Sequence, residues 1–131
     1  MTRTGRCYCG AVAWTAEGTP NWQAYCHCES CRKNCAAPVA AFLGVADGAW
    51  SWTGEEPSTF TRDQVTRYFC AICGTPMAYR STRFPDEIHF YAASLDDPAQ
   101  FTPTRHYHHD EALPWMTITD DLPRHKKGDE T

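Results

Sequence analysis

Apolar and polar residues alternate along this chain more often than they recur at the three-to-four spacing of a helix. Val65, Arg67 and Phe69 alternate with Thr66 and Tyr68, and Val12 and Trp14 with Ala11 and Ala13, the period of two that marks a strand. Gly, Pro and Asp or Asn turns divide such stretches. The pattern predicts strands over about 3–8, 11–17, 22–26, 39–45, 50–53, 58–62, 65–70, 76–80 and 87–93, with another near 103–109. In Trp50-Ser51-Trp52 both indoles fall on one face, which reads as core. Only about 28–36 and a turn near Asp110-Glu111-Ala112 read as helical. Asp96-Asp97-Pro98 reads as the start of a turn, and the charged stretch from Asp120 onward as a frayed end. The expected fold is mainly β, built of short antiparallel strands with little helix.

The 131 residues suffice for one core. A single domain is expected over residues 3–124, with a charged tail at 125–131. Leu, Ile, Val and Phe number only 17, whereas Trp, Tyr and Phe also supply 17 and eight residues are cysteine. A chain so short of aliphatic residues draws part of its stability from metal or disulfides. The net charge of −4 comes with no clustered basic face, which argues against nucleic acid as a partner. No run approaches the ~18 apolar residues of a membrane helix, and no apolar secretion signal follows Met1. The expected setting is cytoplasmic, where thiols stay reduced and serve metal binding or catalysis.

The cysteines fall in three groups. Cys70-Ala71-Ile72-Cys73-Gly74 has the form of a zinc knuckle, in which the glycine accepts the positive φ that folds the backbone around a metal. Cys7-Tyr8-Cys9-Gly10 is a shorter version with the same punctuation. In a flat strand, side chains at i and i+2 stand about 6.5 Å apart. Two sulfurs each ~2.3 Å from one zinc are closer than that, so a Cys-x-Cys pair of ligands has to sit in a turn. Cys7, Cys9, Cys70 and Cys73 are therefore assigned to one structural zinc, closing a long loop. A disulfide framework or reduced buried thiols are the alternatives, the disulfides disfavoured by strain between near neighbours and by the compartment.

Cys26-His27-Cys28-Glu29-Ser30-Cys31 offers three sulfurs, and three protein ligands are what a catalytic zinc keeps. Three thiolates leave the ion near −1, a weak Lewis acid suited to exchanging a soft thiolate. This favours a small thiol-bearing substrate. Cys35 lies four residues beyond Cys31 and shares a helix face with it. It is a possible fourth ligand, which would close the site, or a spectator or redox thiol nearby. His27 and Glu29 lie within the group and are candidates for carrying a proton. His106, His108 and His109 read as surface or interface histidines, with one of them lining a cleft as the alternative.

Three segments taken together resemble a known family: Arg6-Cys7-Tyr8-Cys9-Gly10-Ala11-Val12, Cys26-His27-Cys28-Glu29-Ser30-Cys31-Arg32, and Phe69-Cys70-Ala71-Ile72-Cys73-Gly74-Thr75-Pro76. They resemble the glutathione-dependent formaldehyde-activating enzyme family, which includes centromere protein V. Weaker matches are Trp52-Thr53-Gly54, Ala93-Ser94-Leu95-Asp96-Asp97-Pro98, Leu113-Pro114-Trp115 and Asp121-Leu122-Pro123. The resemblance implies a β-tent fold and two zinc ions per chain: a structural one on Cys7, Cys9, Cys70 and Cys73, and a catalytic one on Cys26, Cys28 and Cys31. It also implies a carbon–sulfur lyase that makes or breaks the S-hydroxymethyl bond between glutathione and formaldehyde. A non-catalytic zinc module for protein interaction, its second site closed by Cys35, is the other reading. A Cys35→Ala variant separates the two.

Overall fold

A computed structural model describes residues 1–128; residues 129–131, the end of the expected charged tail, lie outside the described residues. The chain is mainly β. Strands β1 (Thr2–Arg6), β2 (Ala13–Glu17) and β5 (Trp50–Trp52) form a small sheet in the order β1-β2-β5. The larger sheet holds β3 (Trp22–Cys26), β4 (Ala40–Ala46), β6 (Ser58–Arg62), β7 (Val65–Phe69), β8 (Pro76–Ser81), β9 (Glu87–Tyr91) and β10 (His106–Tyr107). Its order is β10-β3-β4-β9-β8-β7-β6. The single α-helix among the described residues, α1 (Glu29–Cys35), joins β3 to β4 and ends where Ala36 turns left-handed, at φ 51°. No helix among the described residues is long and apolar enough to cross a membrane.

Because strand side chains alternate between faces, β4 and β9 serve two cores at once. Leu43 and Val45 of β4 meet Ile88 and Phe90 of β9 on one face. The small sheet covers that face: the Trp14 indole stacks on Phe90 at 4.1 Å, and Trp50 and Trp52 each meet Phe90 edge-on at 5.5 Å. The two indoles of β5 thus pack, partly buried, against the core from one shared face. Phe42 and Tyr91 point to the opposite face with Ala40, Cys26 and Cys31, against partly buried Trp22 and Tyr79. The first face buries Cys7 and Cys70 and the second Cys26 and Cys31, so the cysteine groups separate by sheet face.

The structure departs from the sequence reading at the C-terminal end. The strand expected near 103–109 shrinks to His106–Tyr107 and pairs with β3 in parallel, the exception to antiparallel order. His108 ends it by turning left-handed, at φ 54°. The segment from Asp120, expected to fray, is docked instead. His106 N donates to Pro123 O at 2.8 Å, and His125 N donates to His106 O at 2.8 Å. The charges there have partners, since Arg124 Nη1 donates to Asp120 Oδ1 at 2.7 Å. Asp97 caps a short turn through Ala99 N at 3.0 Å, as Asp-Asp-Pro predicts.

Candidate metal centres

The first cysteine group is assembled by two turns that leave adjacent ends of different strands. Gly10 N donates to Cys7 O at 3.1 Å, and Gly74 N to Cys70 O at 2.8 Å. Both glycines have positive φ, 85° and 81°, a conformation that a side chain would strain. Thr75 Oγ1 links the turns by accepting from Tyr8 N at 3.1 Å. The sulfurs of Cys7, Cys9, Cys70 and Cys73 all lie within 4.8 Å of one another, with Cys7–Cys9 at 3.6 Å and Cys9–Cys70 at 3.7 Å. Backbone N–H groups aim at them: Val12 N at Cys7 Sγ (3.3 Å) and Ile72 N at Cys70 Sγ (3.4 Å). Such donors favour thiolates. The Thr75 hydroxyl and backbone bring Cys73 down to about 5. The Ala11 N–H acts the same way on Cys9, but burial and the three neighbouring sulfurs outweigh it and push Cys9 up to about 12. Four sulfurs this close could hold a metal ion, and as thiolates the donor set fits zinc.

The second group sits where β3 runs into α1. Cys26 ends the strand, Cys28 is the helix N-cap with its sulfur accepting from Cys31 N at 3.4 Å, and Cys31 lies in the first turn. The three sulfurs lie within 4.8 Å of one another. Cys28 is held far below the usual thiol range, first by the Cys26 thiol donating to it and then by Cys31. Cys26 is driven far above that range for the converse reason. Cys35 does not join them. Its sulfur donates to Cys31 O at 3.1 Å, and it borders a separate depression beside Tyr8 and Tyr91.

Arg67, to which the sequence reading gave no role, underlies this cluster. It is buried, at 7% exposure, and its Nη1 lies 3.4 Å from both Cys31 Sγ and Tyr91 Oη. Its guanidinium also covers the Tyr79 ring at 4.6 Å. A charged residue at an inward position of the Val65-Arg67-Phe69 alternation was the signal that marks it.

A cavity of about 610 Å³ opens beside these cysteines. The three cysteines share its wall with Trp22, Phe42, Tyr79 and Phe84, and His108 and Glu111 are among its polar lining. Glu111 Oε2 lies 3.1 Å from His108 Nδ1, and Oε1 accepts from Glu29 N at 3.2 Å. Neither His27 nor Glu29 lines the cavity. His27 continues the alternation of β3 and faces away from Cys26 and Cys28, buried at 1% exposure. Its Nε2 is 2.7 Å from His106 Nδ1, and His106 Nε2 lies 3.1 Å from both oxygens of Asp120. Burial, followed by the neighbouring His106 and His109, brings His27 down to about 4 and keeps it neutral. Glu29 is exposed and pairs with Lys33 at 3.7 Å. Of the three later histidines, His106 is fully buried at 0% exposure, a correction to the surface reading, because Tyr25 stacks on it and the docked C-terminal segment covers it.

Comparison with known proteins agrees with this arrangement. Residues 2–111 match the family described as glutathione-dependent formaldehyde-activating enzyme. The chain belongs to that family. A crystal structure of a Rhodobacter sphaeroides protein is similar in fold, with a TM-score of 0.60 and 18% identity. The similarity covers 92% of this chain and 98% of that one. No curated protein matches the chain. The family match spans both cysteine groups and the His108–Glu111 pair, while the docked segment from Asp120 lies beyond it.

Proposed function

We propose that this protein is a zinc-dependent carbon–sulfur lyase acting on thiol–aldehyde adducts of the S-hydroxymethylglutathione kind. Cys7, Cys9, Cys70 and Cys73 hold a structural zinc, and Cys26, Cys28 and Cys31 hold a second, catalytic one. The observation that carries this reading is the position of Cys26, Cys28 and Cys31 on a cavity wall, with Cys35 turned away. Family membership supports the reaction class. Bound at those three cysteines, zinc supplies a place for the substrate sulfur and stabilises it as thiolate.

The chain's own groups do the rest. Arg67 offsets the negative charge on Cys31 and holds that sulfur in place. The His108–Glu111 couple faces the cavity and takes the proton of the adduct's hydroxyl. As that proton leaves, the carbon–oxygen bond becomes a carbonyl and the carbon–sulfur bond breaks, releasing the thiolate. In the reverse direction the thiolate adds to the carbonyl and the couple returns the proton. The aromatic walls exclude water from the thiolate. The protein works as one domain over residues 3–124 with a tail at 125–131, in the cytoplasm, where its cysteines stay reduced.

The test is zinc per chain together with thiol–aldehyde turnover, on the parent and on Cys31→Ser. The parent should carry two zinc ions, and Cys31→Ser should keep one, remain folded and lose turnover. A folded Cys31→Ser protein with intact turnover would refute the assignment. The closed-site alternative requires Cys35 as a ligand, so loss of one zinc in Cys35→Ala would favour it.

A further inference from the structure

We propose that the cavity beside Cys26, Cys28 and Cys31 selects thiols whose organic group is aromatic, rather than thiols recognised by their carboxylates. This rests on the reading that those cysteines hold the thiolate-binding zinc, and it names the thiol that site prefers.

The argument starts from strand alternation. Trp22 and Cys26 stand on the same face of β3, and Ala24 between them is too small to separate them. Phe42 is opposite Ala24 across the sheet, and it packs in one cluster with Cys26 and Cys31. Tyr79 and Phe84 continue the wall. A sulfur held at the cysteines therefore directs its first few carbons onto ring faces and edges.

The rings are held in place. Glu87 accepts from Trp22 Nε1 at 2.8 Å and Asn21 Nδ2 at 3.1 Å, and lies 2.6 Å from His89 Nε2. Its carboxylate is occupied in orienting rings. Tyr79 is stacked on His89 at 5.1 Å on one side and covered by Arg67 on the other. Gly44 is where it must be for this wall: a Cβ there would collide with the Trp22 indole, which lies flat over the glycine.

Charge points the same way. The cavity's formal cations, Arg83 and Lys127, are equalled in number by the carboxylates Glu87 and Glu111, and Arg67 offsets the extra negative charge that three thiolates on one zinc would carry. Such a field gives no advantage to a peptide thiol with two carboxylates. Aromatic contacts do favour a planar apolar group, through area and ring geometry.

The experiment is isothermal titration of the zinc-loaded full chain with benzyl mercaptan, glutathione and benzyl alcohol, on the parent and on Phe84→Ala. Phe84 is only half-buried, so its replacement leaves the fold intact. We expect benzyl mercaptan to bind about tenfold more tightly than glutathione. Phe84→Ala should erode most of that advantage, weakening benzyl mercaptan several-fold more than glutathione. Benzyl alcohol matching benzyl mercaptan would overturn the thiolate-binding reading while leaving an aromatic pocket. Glutathione binding as tightly as benzyl mercaptan, with no effect of Phe84→Ala, would overturn the inference and leave the proposed function standing.

Discussion

Arg67 shows how one side chain can join two parts of a site. Its guanidinium touches a cluster sulfur, a tyrosine hydroxyl and a tyrosine ring. Arg67→Leu would leave the Tyr91 hydroxyl and the Cys31 sulfur without this cation in a buried place. We expect a loss of about 2–4 kcal/mol in urea unfolding, and weaker retention of the proposed second zinc against a chelator. Arg67→Lys should recover little, since one ammonium does not reproduce a planar group lying over a ring. Asp47 makes a more exposed pair. Arg80 Nη2 donates to it at 2.5 Å and Trp50 Nε1 at 3.1 Å. These bonds, the Arg80 one foremost, hold its carboxyl below the ordinary aspartate range. A carboxyl depressed in the folded state stabilises the protein above its ordinary titration range, and that contribution disappears as pH falls through the lowered value. Asp47→Asn should therefore melt below the parent at pH 7, a stability loss of no more than about 1 kcal/mol for a pair this exposed, and the two should converge in acid.

At the scale of elements, the connection from β3 through α1 carries the candidate site, and a short parallel strand supports it from behind. Alternation sends Cys26 and Cys28 towards the cavity and His27 towards His106, so the chain of His27, His106 and Asp120 ties the cysteine-bearing turn to the C-terminal segment. Asp120→Ala should release that segment. The amides of His106 and His125, which bond to Pro123 O and His106 O, should then exchange hydrogen faster, at a stability loss of about 1–2 kcal/mol. Most strands were legible from their period of two and their turn residues. The strand expected near 103–109 was not, because its length depends on how far β3 extends beside it and on the left-handed turn at His108. Polar residues alone do not distinguish a frayed end from a docked one: the segment from Asp120 is held by partners far along the chain.

For the whole molecule, the quartet of cysteines joins the turn after β1 to the turn between β7 and β8 and so ties the small sheet to the large one. Removing the zinc proposed there should loosen the packing of Trp14, Trp50 and Trp52 on Phe90. Cys73→Ser, or a strong chelator at neutral pH, should lower the melting temperature sharply and shift tryptophan fluorescence. The free-energy loss should be at least about 3 kcal/mol, since binding of the proposed zinc would be coupled to folding. Removing the proposed second zinc through Cys31→Ser should leave the sheets packed, because those cysteines lie on the opposite face. Equal losses from the two variants would contradict this division.

By itself the sequence determined the strand pattern, the net charge and the grouping of the cysteines. Each depends on residues close together in the chain or on composition, and the motifs were specific enough to point to the family. Only the tertiary structure decided which face each cysteine group occupies, that Cys35 bonds to its own helix, and that His27 turns from the cavity while His108 and Glu111 line it. It also set Arg67 under the cluster and Trp22 over Gly44. These outcomes depend on which strands lie side by side and on contacts between residues far apart in the chain, which a local period does not encode.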